Sequence, residues 1–231
     1  MKQALFNWSG GKDSTLALHH ILKEQQYDVK TLMTSINTAY DRISMHGVRK
    51  ELLHEQASAI GLPIRELLLP ESPSMEDYNR IMESMMQEIK AEGITHSIFG
   101  DIFLEDLKQY REERLQEVGL KGVFPLWKRD TKELIREFID LGYKTVIVCC
   151  DAQLLGRNFA GRVIDEQLLS ELPDQVDPCG ENGEFHTFVF DGPIFKQPVS
   201  FKVGETILRE YDTPNSPDQK SGFYFCDLIP V

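Results

Sequence analysis

Short β-rich runs alternate with amphipathic stretches through the first half of the chain. The predicted strands cover residues 4–8, 29–36, 64–69 and 95–100. Between them, apolar residues recur at spacings of three and four, which is typical of helices with one buried face. Strands that alternate with helices predict βαβ units around a parallel, doubly wound sheet of the α/β class, Rossmann-like in its layers.

The pattern changes near residue 121. A short strand is followed by a predicted helix over 130–142, a strand over 144–150, and glycine-punctuated loops. Three more β-like runs come last, at 186–190, 199–211 and 222–229. We therefore predict two domains, 1–120 and 121–231, of which the second is a smaller, mixed α+β unit.

Two helical stretches precede this boundary. The first has a methionine-rich stripe that we interpret as core, formed by Tyr78, Ile81, Met82, Met85 and Ile89. The second is a charged helix over 104–118 that ends at Gly119, a natural stop. Its alternating charges indicate a solvated face, although Lys108, Arg111 and Arg114 could reach a phosphate if the helix borders a site.

Composition narrows the class of protein. With 231 residues, 41% hydrophobic and 27% charged, the chain has the make-up of an ordinary folded protein. Its net charge of -12 argues against broad nucleic-acid binding. No apolar stretch is long enough to cross a bilayer, and the N-terminus fits a buried strand better than a signal peptide, so we expect a cytoplasmic protein. The oligomeric state is open, homo-oligomers included.

Four cysteines occur without a C-x-x-C pair, at positions 149, 150, 179 and 226. Their spacing suggests neither a zinc site nor a disulfide framework. We interpret them as reduced, small core residues, and a role in redox chemistry or sulfur transfer has no support.

The clearest chemical signal is SGGKDS, residues 9–14, between the first predicted strand and a helix. Gly10 and Gly11 lack Cβ atoms, so the backbone can turn tightly and bring its N–H groups close to an anion. Ser9 and Ser14 add hydroxyl donors. The helix that follows points the positive end of its dipole at the loop. This arrangement predicts a phosphate site.

Two charged residues complete the loop. Lys12 can neutralise phosphate charge, whereas Asp13 suits a magnesium ligand or a helix cap. Neither G-x-x-x-x-G-K-[ST] nor G-x-G-x-x-G fits this sequence, so the better-known phosphate loops are excluded. The alternative is that this segment is only a glycine-rich turn between a strand and a helix and binds no ligand. The strand and the helix that flank it favour the phosphate site.

A second group of ionisable residues lies at 177–190, DPCGENGEFHTFVF. Gly180 and Gly183 shape a turn that presents Glu181, Glu184 and His186 before a strand begins. On this segment alone, a solvated acidic loop with an incidental histidine is the simpler interpretation.

SGGKDS at the end of a first strand resembles the PP-loop of the N-type ATP pyrophosphatases, which have the adenine nucleotide α-hydrolase-like fold. The resemblance implies an enzyme that binds ATP and Mg²⁺ and cleaves ATP between its α- and β-phosphates. An oxygen of the substrate attacks the α-phosphate to give an adenylate, and a nucleophile then displaces AMP.

Together with this loop, residues 180–187 resemble the G-E-G-G-E-[FY]-x-T element of the diphthine-ammonia ligase family. The resemblance spans most of the chain, and three further stretches support it: Met45-His46, Gly100-Asp101-Ile102 and Leu155-Gly156. It implies an AMP-forming ligase that activates the carboxylate of diphthine, on an elongation factor, and transfers it to ammonia.

The resemblance also implies roles for individual residues. Residues Ser9 to Ser14 would hold ATP, with Lys12 and Asp13 catalytic and Asp13 on the metal. Gly100 and Asp101 would complete the nucleotide site at the carboxyl ends of the strands. His46 would orient substrate or move a proton. The substrate surface would consist of Glu181, Gly183, Glu184, Phe185 and His186, with Glu184 also catalytic.

The acidic and aromatic residues of this surface suit the quaternary ammonium group of diphthine. Alternatively, Glu181 and Glu184 bind or deprotonate ammonium.

The sequence departs from the family element at two positions. Asn182 replaces a usual glycine, and His186 stands where an acidic residue is common. A related ligase acting on a small-molecule carboxylate such as a corrinoid is therefore one alternative. An RNA-modifying PP-loop enzyme and a nucleotide sensor without catalysis are others.

Overall fold

The computed structural model describes residues 1–43, 47–213 and 216–231. A six-stranded sheet forms the first layer in this part of the chain. Its strands are β1 (Lys2–Asn7), β2 (Tyr27–Asn37), β3 (Arg42–Ile43), β4 (Ile64–Leu69), β5 (His96–Ile98) and β6 (Lys121–Val123). All pairings are parallel except that of the short β3 with the end of β2.

Helices cover both faces of this sheet. They are α1 (Lys12–Glu24), α2 (Lys50–Ile60), α3 (Met75–Ala91) and α4 (Glu105–Val118). Successive residues of a strand face opposite sides. Accordingly, Ala4 and Phe6 belong to the buried cluster that includes α1 and α2, whereas Leu5 belongs to the one that includes α3 and α4. The predicted doubly wound α/β fold is confirmed.

The second sheet is smaller and antiparallel, with strand order β8-β7-β10-β9. Its strands are β7 (Lys144–Asp151), β8 (Phe185–Asp191), β9 (Phe201–Thr213) and β10 (Ser216–Pro230). Helices α5 (Thr131–Asp140) and α6 (Glu166–Glu171) accompany it. One apolar cluster runs from the first sheet into this one, so the two layers share a core.

The structure puts β6 into the first sheet, where residues 121–123 pair with β5. The predicted domain boundary between residues 120 and 121 lies immediately before that strand, and it stays a prediction. The spatial order of the parallel strands in the sheet is β4-β2-β1-β5-β6, so the direction of winding reverses between β1 and β5. Open α/β sheets bind ligands at the carboxyl ends of the strands at such a switch point.

Candidate active site

The loop that follows β1 is held by a buried glutamine. Gln56 is completely buried and accepts a hydrogen bond from Trp8 Nε1 at 3.0 Å. Its Nε2 donates to the carbonyl oxygens of Gly10, at 2.9 Å, and Val189. Gly10 has φ +76°, and a Cβ there would lie 2.6 Å from Gln56 Oε1. Only glycine therefore fits this turn without displacing the amide.

The same loop is bonded to β8 of the second sheet. Val189 N donates to Gly10 O at 2.9 Å. Lys12 N donates to Thr187 Oγ1 at 3.0 Å, which satisfies one of the N–H groups that a helix leaves open at its start. The second sheet thus fixes the position of the first loop, an arrangement that joins residues about 175 positions apart.

The two loop serines are partly engaged with each other. Ser9 Oγ donates to Ser14 Oγ at 3.0 Å and accepts from Gly11 N at 3.3 Å. Ser14 Oγ in turn donates to Gly11 O at 2.9 Å. These bonds fix the hydroxyl oxygens at the start of α1, where the helix dipole favours an anion.

Lys12 and Asp13 form an ion pair of 2.7 Å at the start of α1. Lys12 is buried, and its Nζ lies 5.5 Å from the ring centroid of Phe185. Burial, the largest single influence, lowers the pKa of Lys12. The charge of Asp13, its hydrogen bond with Lys12 and the charge of Glu181 are among the opposing influences that together outweigh burial, so that pKa is raised and the lysine stays charged. Gly11 occupies the N-cap position, which removes the helix-cap alternative for Asp13.

Gly100 and Asp101 follow β5, directly across the switch point from this loop. A Cβ on Gly100 would lie 2.9 Å from Ser14 N, so glycine lets α1 approach the end of β5. Asp101 Oδ2 lies 3.2 Å from Arg111 Nη1 but, buried, makes no hydrogen bond with the residues described. Burial raises the pKa of Asp101, and Arg111 opposes this shift only in part.

The loop from Asp177 to Glu184 is braced from inside. The carboxylate of Glu184, 2% exposed, accepts hydrogen bonds from Asp177 N, Asn182 N and Asn182 Nδ2. These bonds outweigh burial and lower the pKa of Glu184. The side chain does not line the cavity, so we interpret Glu184 as a support of the loop.

The neighbours of Glu184 face the cavity instead. Burial, together with the charge of Asp13, raises the pKa of Glu181 to about 8. Burial and then the charge of Lys12 lower the pKa of His186 to about 4, so its imidazole is neutral at neutral pH. Phe185 and Gly183 also lie at this wall. The loop therefore presents one carboxyl group that is easily protonated and one neutral imidazole.

These groups surround a cavity of about 870 Å³. Most of the site residues that the sequence predicts line it together, namely Ser9, Gly11, Lys12, Asp13, Ser14, Gly100, Asp101, Glu181, Gly183, Phe185 and His186. Gly10, although part of the same loop, does not line the cavity. His46 falls outside the described residues, and its role stays a prediction.

The opposite wall of the cavity comes from α3 and α4, and sequence reasoning missed most of it. Tyr78 and Met82 of the methionine-rich stripe line the cavity, although the spacing predicted core, and Met86 of the same helix lines it too. Arg111 and Arg114 of the charged helix line it as well, whereas Lys108 lies against Phe124 and Trp127. Apolar spacing alone could not distinguish a buried stripe from the wall of a pocket.

Asp13, Asp101 and Glu181 bring three carboxyl groups to one end of this cavity. The charge of Asp13 raises the pKa of both Asp101 and Glu181, and the charge of Asp101 also raises that of Glu181. Among the described residues no group of three or more His, Cys, Asp and Glu is arranged as a complete metal site. Mg²⁺ usually takes one or two carboxylates together with phosphate oxygens and water. The hydrogen-bond-free oxygen of Asp101 and the partly buried carboxylate of Asp13 fit that donor set.

Two family models match the chain. The diphthamide synthase N-terminal domain matches residues 1–122, and the diphthamide synthase C-terminal domain matches residues 130–214. The chain belongs to this family. The resemblance seen in the sequence is thereby confirmed.

Curated relatives carry the name diphthine–ammonia ligase. One from Danio rerio is 26% identical over 231 residues, covering 88% of this chain and 88% of its own length. One from Homo sapiens is 29% identical over 148 residues, 62% of this chain and 54% of its own length. The chain thus spans about half of the human relative. An enzyme of the ligase class is in line with these names.

Two solved structures are distantly similar. A predicted subunit of tRNA methyltransferase from Methanocaldococcus jannaschii has a TM-score of 0.42 and 16% identity over 62% of this chain and 77% of its own. The U34-tRNA thiolase NcsA from Methanococcus maripaludis, with its [4Fe-4S] cluster, has a TM-score of 0.38 and 15% identity over 62% and 58%. Neither similarity adds to the functional argument.

Proposed function

We propose that this protein is an ATP-dependent, AMP-forming amide ligase that adenylates the carboxylate of diphthine and transfers it to ammonia. One observation carries the proposal: the SGGKDS loop lies at the switch point of a parallel sheet, beside Asp101, and both line a cavity of about 870 Å³. Membership of the diphthamide synthase family and the names of the relatives support the choice of acceptor.

The loop holds the phosphates of ATP. Its hydroxyl groups and the start of α1 provide donors and a favourable dipole, and charged Lys12 neutralises phosphate oxygens. Asp13 and Asp101 would hold Mg²⁺, which when bound neutralises charge that develops on the phosphates. Gln56 and Thr187 keep the loop in place, so that little reorganisation is needed during the reaction.

Two displacements complete the reaction. A carboxylate oxygen of the acceptor attacks the α-phosphorus of ATP, and the bond from that phosphorus to the bridging oxygen breaks to release pyrophosphate. Ammonia then attacks the carbonyl carbon of the acyl adenylate, and AMP leaves with the electron pair of its bond to that carbon. The nitrogen must lose a proton to give the neutral amide.

Glu181 is the group that we assign to this proton. It lines the cavity beside Lys12 and Asp13, and its raised pKa of about 8 makes it an acceptor matched to the proton of an ammonium ion better than an ordinary glutamate. His186 remains neutral and accepts or donates a single hydrogen bond. Glu184 supports the loop that carries both.

The alternatives have less support. A sulfur relay to RNA requires an accessible thiolate. The four cysteines are buried, and burial raises the pKa of each thiol, to about 12 for Cys149 and Cys150.

No helix in the described part of the chain is long and apolar enough to cross a membrane. Cytoplasmic location and weak affinity for nucleic acids stay predictions.

The test is exchange of labelled pyrophosphate into ATP. We expect exchange that depends on the carboxylate acceptor, and AMP, pyrophosphate and amide in equal amounts once ammonium is added. Formation of ADP and phosphate, or exchange that is independent of any carboxylate, would contradict an acyl-adenylate. A corrinoid carboxylate that is used better than a diphthine peptide would replace the acceptor while keeping the chemistry.

A further inference from the structure

Among the described residues, three lysine and arginine side chains line the ATP cavity: Lys12, Arg111 and Arg114. Lys12 is paired with Asp13, and Arg114 donates a hydrogen bond to Glu117 at 2.9 Å. Arg111 differs from both, because its guanidinium group donates no hydrogen bond within the part of the chain that the structure describes. Its N–H donors are therefore available to a ligand in the cavity.

Two contacts fix the position of the Arg111 guanidinium group. Its Nη1 lies 3.2 Å from Asp101 Oδ2, although the two atoms are not aligned for a hydrogen bond. Its Cζ lies 4.4 Å from the ring centroid of Phe99, and that ring stacks on Phe124 with 5.3 Å between the centroids. A cation is attracted to the face of an aromatic ring, so these contacts hold the donors in place before a ligand arrives.

Arg111 lies where the polar end of the cavity meets its apolar part. The polar end contains the SGGKDS loop and Asp101. The apolar part lies near β2 and between helices α3 and α4, and its lining includes Met33, Met82, Met86, Leu115 and Val118. Phe99 belongs to the same apolar cluster as most of these residues. Because Arg111 contacts both Asp101 and Phe99, it marks the boundary between the two parts.

ATP has a matching division. Its β- and γ-phosphates carry most of its charge, its nucleoside carries a flat base, and its α-phosphate joins the two. With the terminal phosphates on the SGGKDS loop, as proposed above, the base is left for the apolar part of the cavity, which suits a flat ring. The α-phosphate then lies at the boundary, next to Arg111.

The charges of the site favour the same position. Lys12 is already offset by Asp13 at the polar end. Asp101, which we assign to Mg²⁺, has one negative charge and cannot neutralise both a metal ion and Arg111. In the loaded site Arg111 therefore needs a second anion, and the planar guanidinium group matches two oxygens of one phosphate.

We propose that Arg111 binds the non-bridging oxygens of the α-phosphate of ATP and stabilises the charge that builds on them while the acceptor carboxylate attacks. Once pyrophosphate has left, the same contact holds the phosphate of the acyl adenylate. Arg111 stays charged throughout and transfers no proton. This inference rests on the proposed function and deepens it, because it adds a residue of α4 to the reaction at the α-phosphorus.

The first experiment measures binding and needs no catalysis. AMP, adenosine and pyrophosphate are titrated by calorimetry into wild type and Arg111→Gln, without acceptor. We expect Arg111→Gln to weaken the binding of AMP about tenfold and to leave adenosine and pyrophosphate unchanged, because only AMP carries the α-phosphate on its nucleoside. Lys108→Gln is the matched control, since it removes the same charge from the same helix outside the cavity, and it should bind all three ligands as wild type does.

Three results of these titrations would overturn the inference. The first is a wild-type protein that binds AMP no more tightly than adenosine. The second is an Arg111→Gln variant that binds AMP as tightly as wild type does. The third is an Arg111→Gln variant in which all three ligands are weakened alike, as a general disturbance of the fold would produce.

The second experiment distinguishes a contact with the phosphate from support of Asp101. In an Asp101→Asn background the ion pair is absent, so a residue that acted only through Asp101 would have no further effect. We expect Arg111→Gln to weaken the binding of AMP about tenfold in this background too. If the affinity for AMP falls no further in the double variant, the direct contact is wrong.

The third experiment is kinetic. In pyrophosphate exchange, we expect Arg111→Gln to lower kcat/KM for ATP about 100-fold or more and to leave the KM of the acceptor carboxylate unchanged, because the contact strengthens as charge builds on the α-phosphate. A raised KM for the acceptor, with the affinity for AMP unchanged, would put the acceptor carboxylate on Arg111 and overturn the assignment.

The inference and the proposed function fail separately. If Arg111→Gln weakens AMP selectively but no carboxylate supports exchange, the ligase reaction is wrong and the α-phosphate contact stands. If exchange depends on a carboxylate but the affinity for AMP is independent of Arg111, the reaction stands and the contact is wrong.

Discussion

The two glycine-containing loops of the site, residues 9–14 and 177–184, are similar in composition and opposite in construction. In the first, Gly10 O is bonded to Gln56 and Val189, outside the loop. In the second, the carboxylate of Glu184 accepts hydrogen bonds from the loop itself. The loop supported from outside keeps both Lys12 and Asp13 at the cavity, whereas the self-braced loop uses one glutamate, Glu184, for its own support and presents only Glu181 to the cavity.

The largest effect is expected from the first loop, at Asp13. Asp13→Ala removes the charge that we assign to Mg²⁺, and pyrophosphate exchange should fall about 100-fold or more. Asp174→Ala, an exposed aspartate outside the site, is the control and should keep wild-type exchange. Exchange by Asp13→Ala within a few fold of wild type would remove Asp13 from the reaction. Circular dichroism should verify that the variant folds, because Lys12 loses its partner.

Glu184 tests the second loop, through stability. Glu184→Ala leaves the partly buried N–H groups of Asp177 and Asn182 without their acceptor, and we expect a loss of about 2 kcal/mol in the free energy of unfolding, measured with urea. The lowered pKa of Glu184 means that its contribution is present above the unfolded pKa and is lost as pH falls. A variant as stable as wild type with lost activity would make Glu184 catalytic instead.

Two glycines compare the loops directly. Gly10 and Gly183 both have positive φ, +76° and +89°, but a Cβ would lie 2.6 Å from Gln56 at Gly10 and meets nothing within 4 Å at Gly183. Gly183→Ala should lower the free energy of unfolding by about 1 kcal/mol, because alanine is strained in the left-handed conformation. Gly10→Ala should cost more and weaken ATP binding, as calorimetry can measure. If the two variants lost equal stability, the side chain of Gln56 would be able to move away from the added Cβ with little loss of free energy.

The smallest effect is expected at Glu181, and it is a change in pH dependence. Because its pKa rises from 4.5 to about 8 on folding, the folded protein holds an extra proton in that range and stability decreases as pH rises through it. Glu181→Gln should remove this decrease in the ligand-free protein. The variant should also lose any rise in amide formation through pH 8, whereas an unchanged pH profile would exclude Glu181 as the proton acceptor.

Particular residues show how far sequence reasoning reached. Local signals predicted the strand–loop–helix unit around residues 9–14 and the segment 177–190, since glycine, hydroxyl and charged residues at short spacing restrict what a backbone can do. The same reasoning gave Glu184 a catalytic role that the described geometry does not favour. Whether a carboxylate faces a cavity or its own loop depends on a rotation of one side chain, which spacing does not record.

By itself, the sequence determined the α/β alternation and the glycine turns, because these follow from local backbone preferences and from the period of apolar residues. Its two motifs, residues 9–14 and 180–187, carried the resemblance to the family. Only the tertiary structure decided that β8 holds the first loop, that Asp101 lies across from Asp13, and that the methionine-rich stripe borders a cavity. These depend on contacts between residues far apart in the chain, such as Lys12 with Thr187. Long-range packing selects them among many arrangements that the same local pattern permits.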